Sequence, residues 1–481
     1  MKLTIRYLLI FFTLLSCSPK TQTQPQINNS KALLNIVNEI AQYRNIDINT
    51  NVLESEQVGL AGETTSQYKN FIQLRDKATI DELLELLKHE DSVVKGYASW
   101  ALADRKYPNL SDILAEFLRT GGTATTQTVD IISEDDLASI FYYRVLYQNF
   151  HNKITLSDSL FFSAQTQKLD SVILYSPQPT SLLSIALKHN NANPKTYDRV
   201  RKIALIEQNE DAIKALAIYQ NKKDIPDIIN LREKAFGAIS HFPDTVFWDF
   251  LLSYQNKNKS KEYFFALTAF KTEESTKVLS SIFTHLNNKE INYLCEALTK
   301  NYCTFYQNLL LKIWEQNKTI DIIATEQLIK DCPEKSALSF SKGLLNSKDV
   351  NFLEFDYNYG TRDAILPLML DNISKFQRDK ILTICKFNIP TAKFMDLTSF
   401  LSCIKENQLA ETTEPLLNRL SKKNYPYEIA HLAETLLSFK DIETQKKTIA
   451  LLKINRNVWN SGNWTEHFRE LFEKYKIDIE K

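Results

Sequence analysis

The stretch IDELLELLKHEDSVVKGYASWALAD, residues 80–104, decides the fold because two short helical patterns meet in it at a turn. Its first half carries four leucines between positions 83 and 87, at the three- and four-residue spacing of one apolar helix face. Asp91 marks the turn, and Ala98 and Ala101 follow in the second half. Small side chains let two helices approach closely, so that the leucine ridge of one fills the groove of the next. We therefore predict a pair of antiparallel helices here.

Related helix pairs recur along the chain. Helical segments that begin at Ala215, Ala235, Ala266 and Ala297 are each followed by an apolar stretch. The last three alanines are spaced by 31 and 31 residues, which matches the length of one antiparallel helix pair. Strand-like alternation is hard to find, so we predict about twenty helices joined by short loops. Seven prolines stand one to a few residues ahead of helical patterns, where a helix start tolerates the missing N–H: Pro194, Pro226, Pro243, Pro333, Pro390, Pro415 and Pro426.

The quoted stretch resembles the HEAT-repeat family and its armadillo-like relatives, whose second helix carries Asp, then Val-Arg, then spaced alanines. Here Val94-Lys95 stands at the Val-Arg step, and Val200-Arg201 repeats that step. The resemblance implies an all-α fold, namely an α-solenoid of antiparallel helix pairs with about twenty helices. It is clearest in 75–120 and 195–316. A tetratricopeptide array is the alternative architecture, although its Trp-Leu-Gly-Tyr pattern is not visible in this chain.

Two segments interrupt the helical pattern. Residues 120–130, TGGTATTQTVD, predict a flexible loop, and NFLEFDYNYGTRD from position 351 breaks the rhythm again. The acidic runs Glu134-Asp135-Asp136 and Glu273-Glu274 are similar to the paired carboxylates of acid and base catalysis. We place both runs at helix starts instead, because the helix dipole favours negative charge there.

The first 17 residues, MKLTIRYLLIFFTLLSC, place Lys2 and Arg6 ahead of a short apolar run. The run is about half of the roughly 20 residues that a membrane-spanning helix needs, so we predict an export signal rather than a transmembrane anchor. Leu14-Leu15-Ser16-Cys17 is similar to the lipobox of bacterial lipoprotein signals. The resemblance implies a diacylglyceryl group on Cys17, cleavage before it, and N-acylation of the new terminus. The alternative is an ordinary secretory peptide with an accidental cysteine.

The residues after Cys17 bear on location. In bacterial lipoproteins an Asp directly after the lipidated Cys tends to retain the protein at the inner membrane, and Ser18 stands there in this chain. The resemblance therefore implies the outer membrane, and the lack of an acidic run after Cys17 favours the periplasmic face. Residues 18–30 are mostly Gln, Thr, Asn, Pro and Ser, which bury too little to offset the entropy lost on ordering. We expect a flexible tether there.

Composition disfavours several classes of protein. Lys plus Arg and Asp plus Glu are equal at 58 each, so nucleic acid is a poor candidate partner. Only nine of the 481 residues are glycine, about 2% where roughly 7% is usual. The motifs GxGxxG, GxxxxGK[ST], GxSxG, HExxH and the EF-hand loop are absent.

We divide the chain into a signal peptide at 1–16, a lipidated cysteine and tether at 17–30, an N-terminal helical region at 31–130, central HEAT-like repeats at 131–350 and divergent repeats at 351–481.

Cysteine and histidine give no catalytic or metal pattern. An odd number of cysteines in an exported chain cannot all pair internally, and five follow Cys17: Cys295, Cys303, Cys332, Cys385 and Cys403. We predict that these cysteines are small buried residues in helices, with one disulfide bridge among them as the alternative.

His89-Glu90 matches one of the His-Glu pairs with which deoxyhypusine hydroxylases, a HEAT-fold enzyme family, bind iron. The seven histidines lack ligand spacing on one helix turn, so we predict surface or capping histidines, and no metal, cofactor or catalytic residue.

Aromatic residues make up 11% of the chain. We expect most of them between helices and a minority as anchors for a partner on a concave face. Trp459 and Trp464 flank a polar turn, and we predict a cap on the repeats rather than a contact site. Together these features predict a lipid-anchored, periplasm-facing, non-catalytic scaffold that binds another envelope protein or macromolecule. The alternatives are a hydrolase or lyase acting on envelope material, and a substrate-binding lipoprotein that feeds a transporter.

Overall fold

The computed structural model describes residues 31–59, 61–150, 163–346, 351–353, 362–422, 425–460 and 464–477. The structure is 71% helical, with 27 α-helices in the described residues, and this confirms the predicted all-α helical-repeat fold. The chain forms two compact units that divide between Ile203 and Ala204. Among the described helices, none is both long and apolar enough to cross a bilayer. The predicted signal peptide and tether lie outside the described residues.

The first unit contains nine described helices and three strands. The helices are α1 (Lys31–Gln42), α2 (Ser66–Lys77), α3 (Ile80–Leu86), α4 (Ser92–Asp104), α5 (Leu110–Thr120), α6 (Leu137–Phe150), α7 (Ala164–Tyr175), α8 (Leu183–His189) and α9 (Tyr197–Leu205). The strands are β1 (Leu53–Val58), β2 (Thr123–Val129) and β3 (Ile131–Asp136). The division between the units falls inside α9.

The quoted stretch forms the predicted helix pair, α3 packed against α4. The Asp91 carboxylate accepts the backbone N–H groups of Val93 at 2.8 Å and Val94 at 3.0 Å, and these bonds satisfy the free donors of the α4 start. Ala98 and Ala101 are fully buried, as their spacing predicts. The sequence pattern therefore fixes both the turn and the buried face of this pair.

A three-stranded sheet in the first unit corrects the predicted loop at 120–130. Those residues form β2, the middle strand, which pairs with β1 in parallel and with β3 antiparallel. The prediction was wrong because the glycines and threonines suggest a flexible segment, whereas β-branched threonine fits a pleated strand.

The acidic run at 134–136 is only partly at a helix start, because Glu134 and Asp135 lie in β3. Asp136 does cap α6, since its carboxylate accepts the N–H of Ser139 at 2.8 Å.

The second unit contains the other 18 described helices and a two-stranded parallel sheet. The helices are α10 (Glu210–Ile218), α11 (Ile225–Asn230), α12 (Ala235–Ile239), α13 (Trp248–Leu252), α14 (Lys261–Thr268), α15 (Glu273–Phe283), α16 (Asn288–Lys300), α17 (Gln307–Asn317), α18 (Ile322–Asp331), α19 (Pro333–Asn346), α20 (Arg362–Phe376), α21 (Arg378–Asn388), α22 (Phe394–Asn407), α23 (Thr413–Leu420), α24 (Pro426–Ser438), α25 (Ile442–Ile454), α26 (Arg456–Trp459) and α27 (Trp464–Tyr475). The strands are β4 (Thr319–Asp321) and β5 (Asn351–Leu353).

Successive helices of one layer pack on one another in the second unit. The three alanines with the 31-residue spacing, Ala235, Ala266 and Ala297, lie in α12, α14 and α16 and are fully buried. Helix α12 packs on α14, and α14 packs on α16. The same alternation continues from α18 through α20 and α22 to α24. The sequence period therefore corresponds to one helix pair of the repeat.

Several helix ends use a left-handed residue that is not glycine. Lys318 follows α17 with φ 57° and Gln408 follows α22 with φ 51°. The N–H of Lys318 donates to the carbonyl of Trp314 at 2.9 Å, as in the usual left-handed cap. Glycine usually takes this position because a Cβ is sterically unfavourable there. The scarcity of glycine in the sequence is thus visible at the ends of the helices.

Gly343 is required by packing rather than by a turn. It lies inside α19 and is buried, and a methyl group at this position would overlap the indole ring of Trp314. Trp314 is itself fully buried in α17 and stacks on Phe352 of β5 with a centroid distance of 6.1 Å. A planar ring held on both sides cannot move away as a flexible side chain can. This contact therefore sets how closely α17 and α19 approach.

We predict that Gly343→Ala lowers the free energy of unfolding. Helix propensity alone would favour alanine by about 1 kcal/mol, but overpacking against Trp314 costs about 1–3 kcal/mol. Urea denaturation of the variant and of Lys342→Ala, an exposed change in the same helix, measures the difference. A Gly343→Ala protein at least as stable as the Lys342→Ala control contradicts the packing argument.

Candidate functional site

A groove in the first unit combines apolar and aromatic lining residues with a sheet edge. It has a volume of about 630 Å³ and lies between the sheet and helices α4 and α6. We call it the sheet groove. Its lining residues are Leu53, Ser55, Glu56, Gln57, Thr126, Thr128, Val129 and Asp135 from the sheet, Trp100 from α4, and Ser139, Ile140, Tyr143 and Arg144 from α6.

Strand register explains which sheet residues line the groove. Leu53 pairs with Thr126, and Thr126 pairs with Ser133, so these side chains lie on one face of the sheet. On the opposite face Glu54 pairs with Gln127, and both are buried. The Asn45 amide donates to Glu54 at 3.0 Å and to Gln127 at 2.8 Å. This buried polar network fixes β1 and β2 to the loop that follows α1.

The groove wall is held rigidly by a stacked arginine. Arg144 donates two hydrogen bonds to Asp104, at 2.7 Å and 2.6 Å, and its guanidinium lies 4.6 Å from the Trp100 ring centroid. Burial lowers the pKa of Arg144, but the hydrogen bonds and charge of Asp104 outweigh it and leave the pKa raised. The Trp100 indole N–H donates to the carbonyl of Ile140 at 3.2 Å. The wall is therefore preorganised and its positive charge is neutralised.

The open side of the groove exposes apolar side chains. Tyr143 is 44% exposed, Val129 is 43% exposed, and Ile131 is 67% exposed. Ile131 pairs with Thr128, which lines the groove, so it extends the same face. Apolar side chains gathered at the mouth of a preformed groove are typical of interaction sites. The arrangement suits a partner with an apolar side chain to bury.

Strand β3 forms a sheet edge beside the groove. The strand order is β1-β2-β3, and no described strand pairs with the outer side of β3. The backbone N–H of Leu137 donates to the carbonyl of Gly122, so these two residues form a hydrogen-bonded pair that continues the β2–β3 ladder. In an antiparallel ladder such pairs alternate with pairs that are not hydrogen-bonded. The register therefore directs the backbone groups of Ile131, Ser133 and Asp135 inward. Those of Ile132 and Glu134 point outward, where an added strand would bond.

The surroundings of β3 are acidic. Its last three residues are Glu134, Asp135 and Asp136, and Glu56 lines the groove from β1. Asp135 accepts hydrogen bonds from the hydroxyls of Thr126 at 2.5 Å and Ser133 at 2.7 Å, so it is held in place. Arg144 and Arg75 both pair with Asp104, and Arg75 also pairs with Asp76, so two carboxylates balance these two arginines. The site therefore presents net negative charge to a partner.

A second cluster lies beside a polar cavity of about 360 Å³ in the first unit. The Tyr142 hydroxyl donates to Asp170 at 2.5 Å, and His189 Nδ1 lies 3.4 Å from the other Asp170 oxygen. Burial raises the pKa of Asp170, and the hydrogen bonds from His189 and Tyr142 only partly offset this. Both Asp170 and His189 line the cavity. This arrangement orients an imidazole with a carboxylate, as acid and base catalysis requires.

The histidine prediction was wrong for His189. Its side chain is only 10% exposed and belongs to this buried cluster, so it is neither a surface nor a capping residue. His89 does act locally, because its Nδ1 accepts the N–H of Asp91 at 3.0 Å. No group of three or more potential metal ligands converges within the described residues. Sequence reasoning missed the cluster because its members lie on three separate helices.

The other predicted features are placed as follows. Cys17 lies outside the described residues. The other five cysteines are all free thiols, of which Cys295, Cys385 and Cys403 are buried. Trp459 is buried, and its indole N–H donates to the carbonyl of Leu452 at 2.7 Å. It is therefore a packing residue between α25 and the last helix.

We predict that Asp170 makes unfolding pH-dependent in an unusual direction. Because its folded pKa is raised above the ordinary 3.8, the folded protein binds this proton more tightly than the unfolded chain. The contribution of Asp170 to stability is therefore present below about pH 4 and is lost as the pH rises through the folded pKa. Urea denaturation of wild type and Asp170→Asn between roughly pH 3.5 and pH 6 should show the wild type losing stability relative to the variant.

The exposed carboxylate variant Asp81→Asn controls for the loss of one charge. A wild type that gains stability relative to Asp170→Asn as the pH rises would mean that the hydrogen bonds outweigh burial at Asp170.

No family model, no curated protein and no solved structure matches this chain.

Proposed function

We propose that this chain is a lipid-anchored binding protein of the cell envelope, a non-catalytic scaffold that holds an extended segment of another envelope protein. The observation that carries the proposal is the coincidence of an apolar groove with a sheet edge whose outer side no described strand covers. In β-strand addition, an extended peptide pairs with such an edge, and its alternate side chains fill pockets on one face. The sheet groove supplies the pocket, and Ile132 and Glu134 supply the backbone donors and acceptors.

Charge favours one kind of occupant. Glu56 and Asp135 line the groove, and Glu134 is exposed on the edge strand β3, so a segment with Lys or Arg beside an apolar residue is complementary to the site. A second copy of this chain would bring two acidic β3 strands together, and like charges directly opposite each other destabilise a strand pair. The proposed partner is therefore a different protein with a basic, apolar segment.

The charged groups of the groove wall support binding rather than chemistry. Arg144 is paired with Asp104, and Asp135 already accepts two hydroxyl hydrogen bonds. These hydrogen bonds hold the groups in place and do not by themselves make a catalytic centre. A rigid, preorganised wall instead lowers the entropy lost when a partner binds.

The anchor in this proposal is Cys17. Its lipobox, Leu14-Leu15-Ser16-Cys17, implies several acyl chains on one residue, and these hold far more firmly than a single chain. Ser18 favours the outer membrane, and the lack of an acidic run after Cys17 favours the periplasmic face. Residues 18–30 would then act as a tether that lets the folded part reach its partner from the membrane surface.

A hydrolase or lyase acting on envelope material is the second candidate, favoured by the cluster of Tyr142, Asp170 and His189 at a polar cavity. Full-length protein can be screened for hydrolysis of envelope polymers with His189→Ala as the reference. Turnover that depends on His189 in a folded protein would decide for the enzyme.

We predict that Ile132→Pro weakens peptide binding by at least about tenfold relative to Ile132→Ala. Proline removes only the outward N–H of an edge residue and leaves the β2–β3 ladder intact, whereas alanine keeps that donor. A tenfold loss corresponds to about 1.4 kcal/mol, the scale of one hydrogen bond. Fluorescence anisotropy of a labelled peptide of alternating Val and Lys, with full-length protein in detergent, measures the affinity.

A peptide of alternating Val and Glu is the matched control and should bind more weakly, because its charges repel β3. Equal losses in Ile132→Pro and Ile132→Ala would exclude strand addition, since the backbone donor would then be irrelevant.

We predict that Cys17→Ala abolishes acylation, whereas Ser18→Asp keeps acylation and moves the protein to the inner membrane. Mass spectrometry of the N-terminal peptide detects the acyl groups, and separation of inner and outer membranes detects the location. Wild-type protein without acyl groups on Cys17 would contradict the anchor.

A further inference from the structure

The polar cavity of the first unit has a buried floor and an exposed rim. It lies between α7 and the loop that follows α8, and its volume of about 360 Å³ is at the low end of the roughly 300–1,000 Å³ of small-molecule sites. Asp170, Asn190 and Thr196 line it and are buried. Gln167 and Lys195 line it and are exposed. A molecule of about one sugar ring can therefore enter from solvent and reach buried polar groups.

The buried carboxylate of the floor is fixed by its neighbours. The Tyr142 hydroxyl donates to one oxygen of Asp170 at 2.5 Å. Nδ1 of His189 lies 3.4 Å from the other oxygen of Asp170 and 3.2 Å from the Tyr142 hydroxyl. Both Asp170 and His189 line the cavity. Side chains that are already held in place lose little further entropy when a ligand binds to them.

A strained loop forms the opposite side of the cavity. Asn191 has φ 41° and Ala192 has φ 56°, and this left-handed conformation is sterically unfavourable for alanine. The N–H of Asn193 donates to the carbonyl of Asn190 at 3.0 Å, and the Thr196 hydroxyl donates to the side-chain oxygen of Asn190. Backbone strain of this kind is concentrated at binding and catalytic sites. Here it places two consecutive asparagines, Asn190 and Asn191, in the cavity wall.

The charges of the lining favour a neutral ligand. Asp170 contributes a carboxylate and Lys195 contributes an ammonium group, and the imidazole of His189 is paired with Asp170. The other lining residues carry amide or hydroxyl groups, which both donate and accept hydrogen bonds: Gln167, Ser171, Asn190, Asn191, Asn193 and Thr196. Because each hydroxyl of a sugar also donates and accepts, a neutral, hydroxyl-rich molecule matches such a lining.

An exposed aromatic ring lies beside the rim. Gln167, Ser171 and Tyr175 follow one another at four-residue spacing on one face of α7, and the first two line the cavity. The Tyr175 hydroxyl donates to the carbonyl of Lys195 at 3.4 Å, so the ring is next to a rim residue. Tyr175 is 57% exposed. Its ring offers a flat apolar surface to the C–H face of a sugar whose hydroxyls bond to the floor.

We propose that this cavity binds a neutral saccharide, with one sugar ring held by the polar floor and covered by Tyr175. The site does not involve the sheet groove and is independent of the proposed segment-binding function. It also needs no turnover at His189, because hydrogen bonds and the aromatic ring recognise the sugar without breaking a bond.

The test is isothermal titration calorimetry of full-length protein in a detergent whose headgroup is not a sugar. The probes are the neutral sugars glucose, galactose, mannose and N-acetylglucosamine. Glucosamine and glucuronic acid are matched controls, because they carry one charge on the same ring. At least one neutral sugar should bind with a Kd below about 10 mM and more tightly than either charged sugar. Monosaccharides have no glycosidic bond to cleave, so the heat reports binding alone.

Two variants at exposed positions separate this site from the sheet groove. Tyr175→Ala should weaken binding of the tightest neutral sugar by at least about threefold, because the ring no longer covers it. Tyr143→Ala removes an exposed tyrosine of the sheet groove and should leave sugar binding unchanged. Folded wild-type protein that binds none of the four neutral sugars overturns the proposal. So does tighter binding of a charged sugar, or equal sugar affinity in Tyr175→Ala and Tyr143→Ala.

Discussion

Close helix contact at small side chains is the constraint on which the rest of this structure depends. Ala98 and Ala101 in the first unit, and Ala235, Ala266 and Ala297 in the second, let neighbouring helices approach until their ridges interlock. Each pair alone leaves an apolar face uncovered, and the next pair in the chain covers it. Larger side chains at these positions would separate the layers and expose the leucines that the layers bury.

The sheet groove exists because the first unit departs from that rule. Where another helix would cover α4 and α6, the chain places three short strands whose groove face carries Thr126, Thr128 and Asp135. Short polar side chains cannot fill the space beside Trp100 and Tyr143 as leucines would. A cavity with a fixed aromatic wall results. The helical array supplies rigidity, and the irregular insertion supplies a surface on which another molecule can be recognised.

The predictable part of this protein is the part governed by local periodicity. Helices, their proline starts and the 31-residue repeat follow from residues close in sequence, and the glutamates 273 and 274 do begin α15. The sheet was missed because β1 and β2 are far apart along the chain and their pairing has no local signal. The same holds for Tyr142, Asp170 and His189, since the hydrogen bonds of Tyr142 span 28 and 47 residues. The sequence predicted a scaffold, but contacts between distant residues define the candidate sites.

Left-handed helix ends without glycine affect both the stability of the turns and their cleavage by a protease. Lys318 and Gln408 carry a steric cost of about 1–2 kcal/mol that glycine would avoid. In the unfolded chain, however, each has fewer backbone conformations than glycine, so it loses less entropy on folding. This gain in stability is of similar size. The two effects nearly cancel in stability. Cleavage by a protease depends on something else, because the protease must bind several residues in an extended form, usually at a flexible loop tip. The connections at Lys318 and Gln408 lack glycine, so we expect them to be poor sites for protease cleavage.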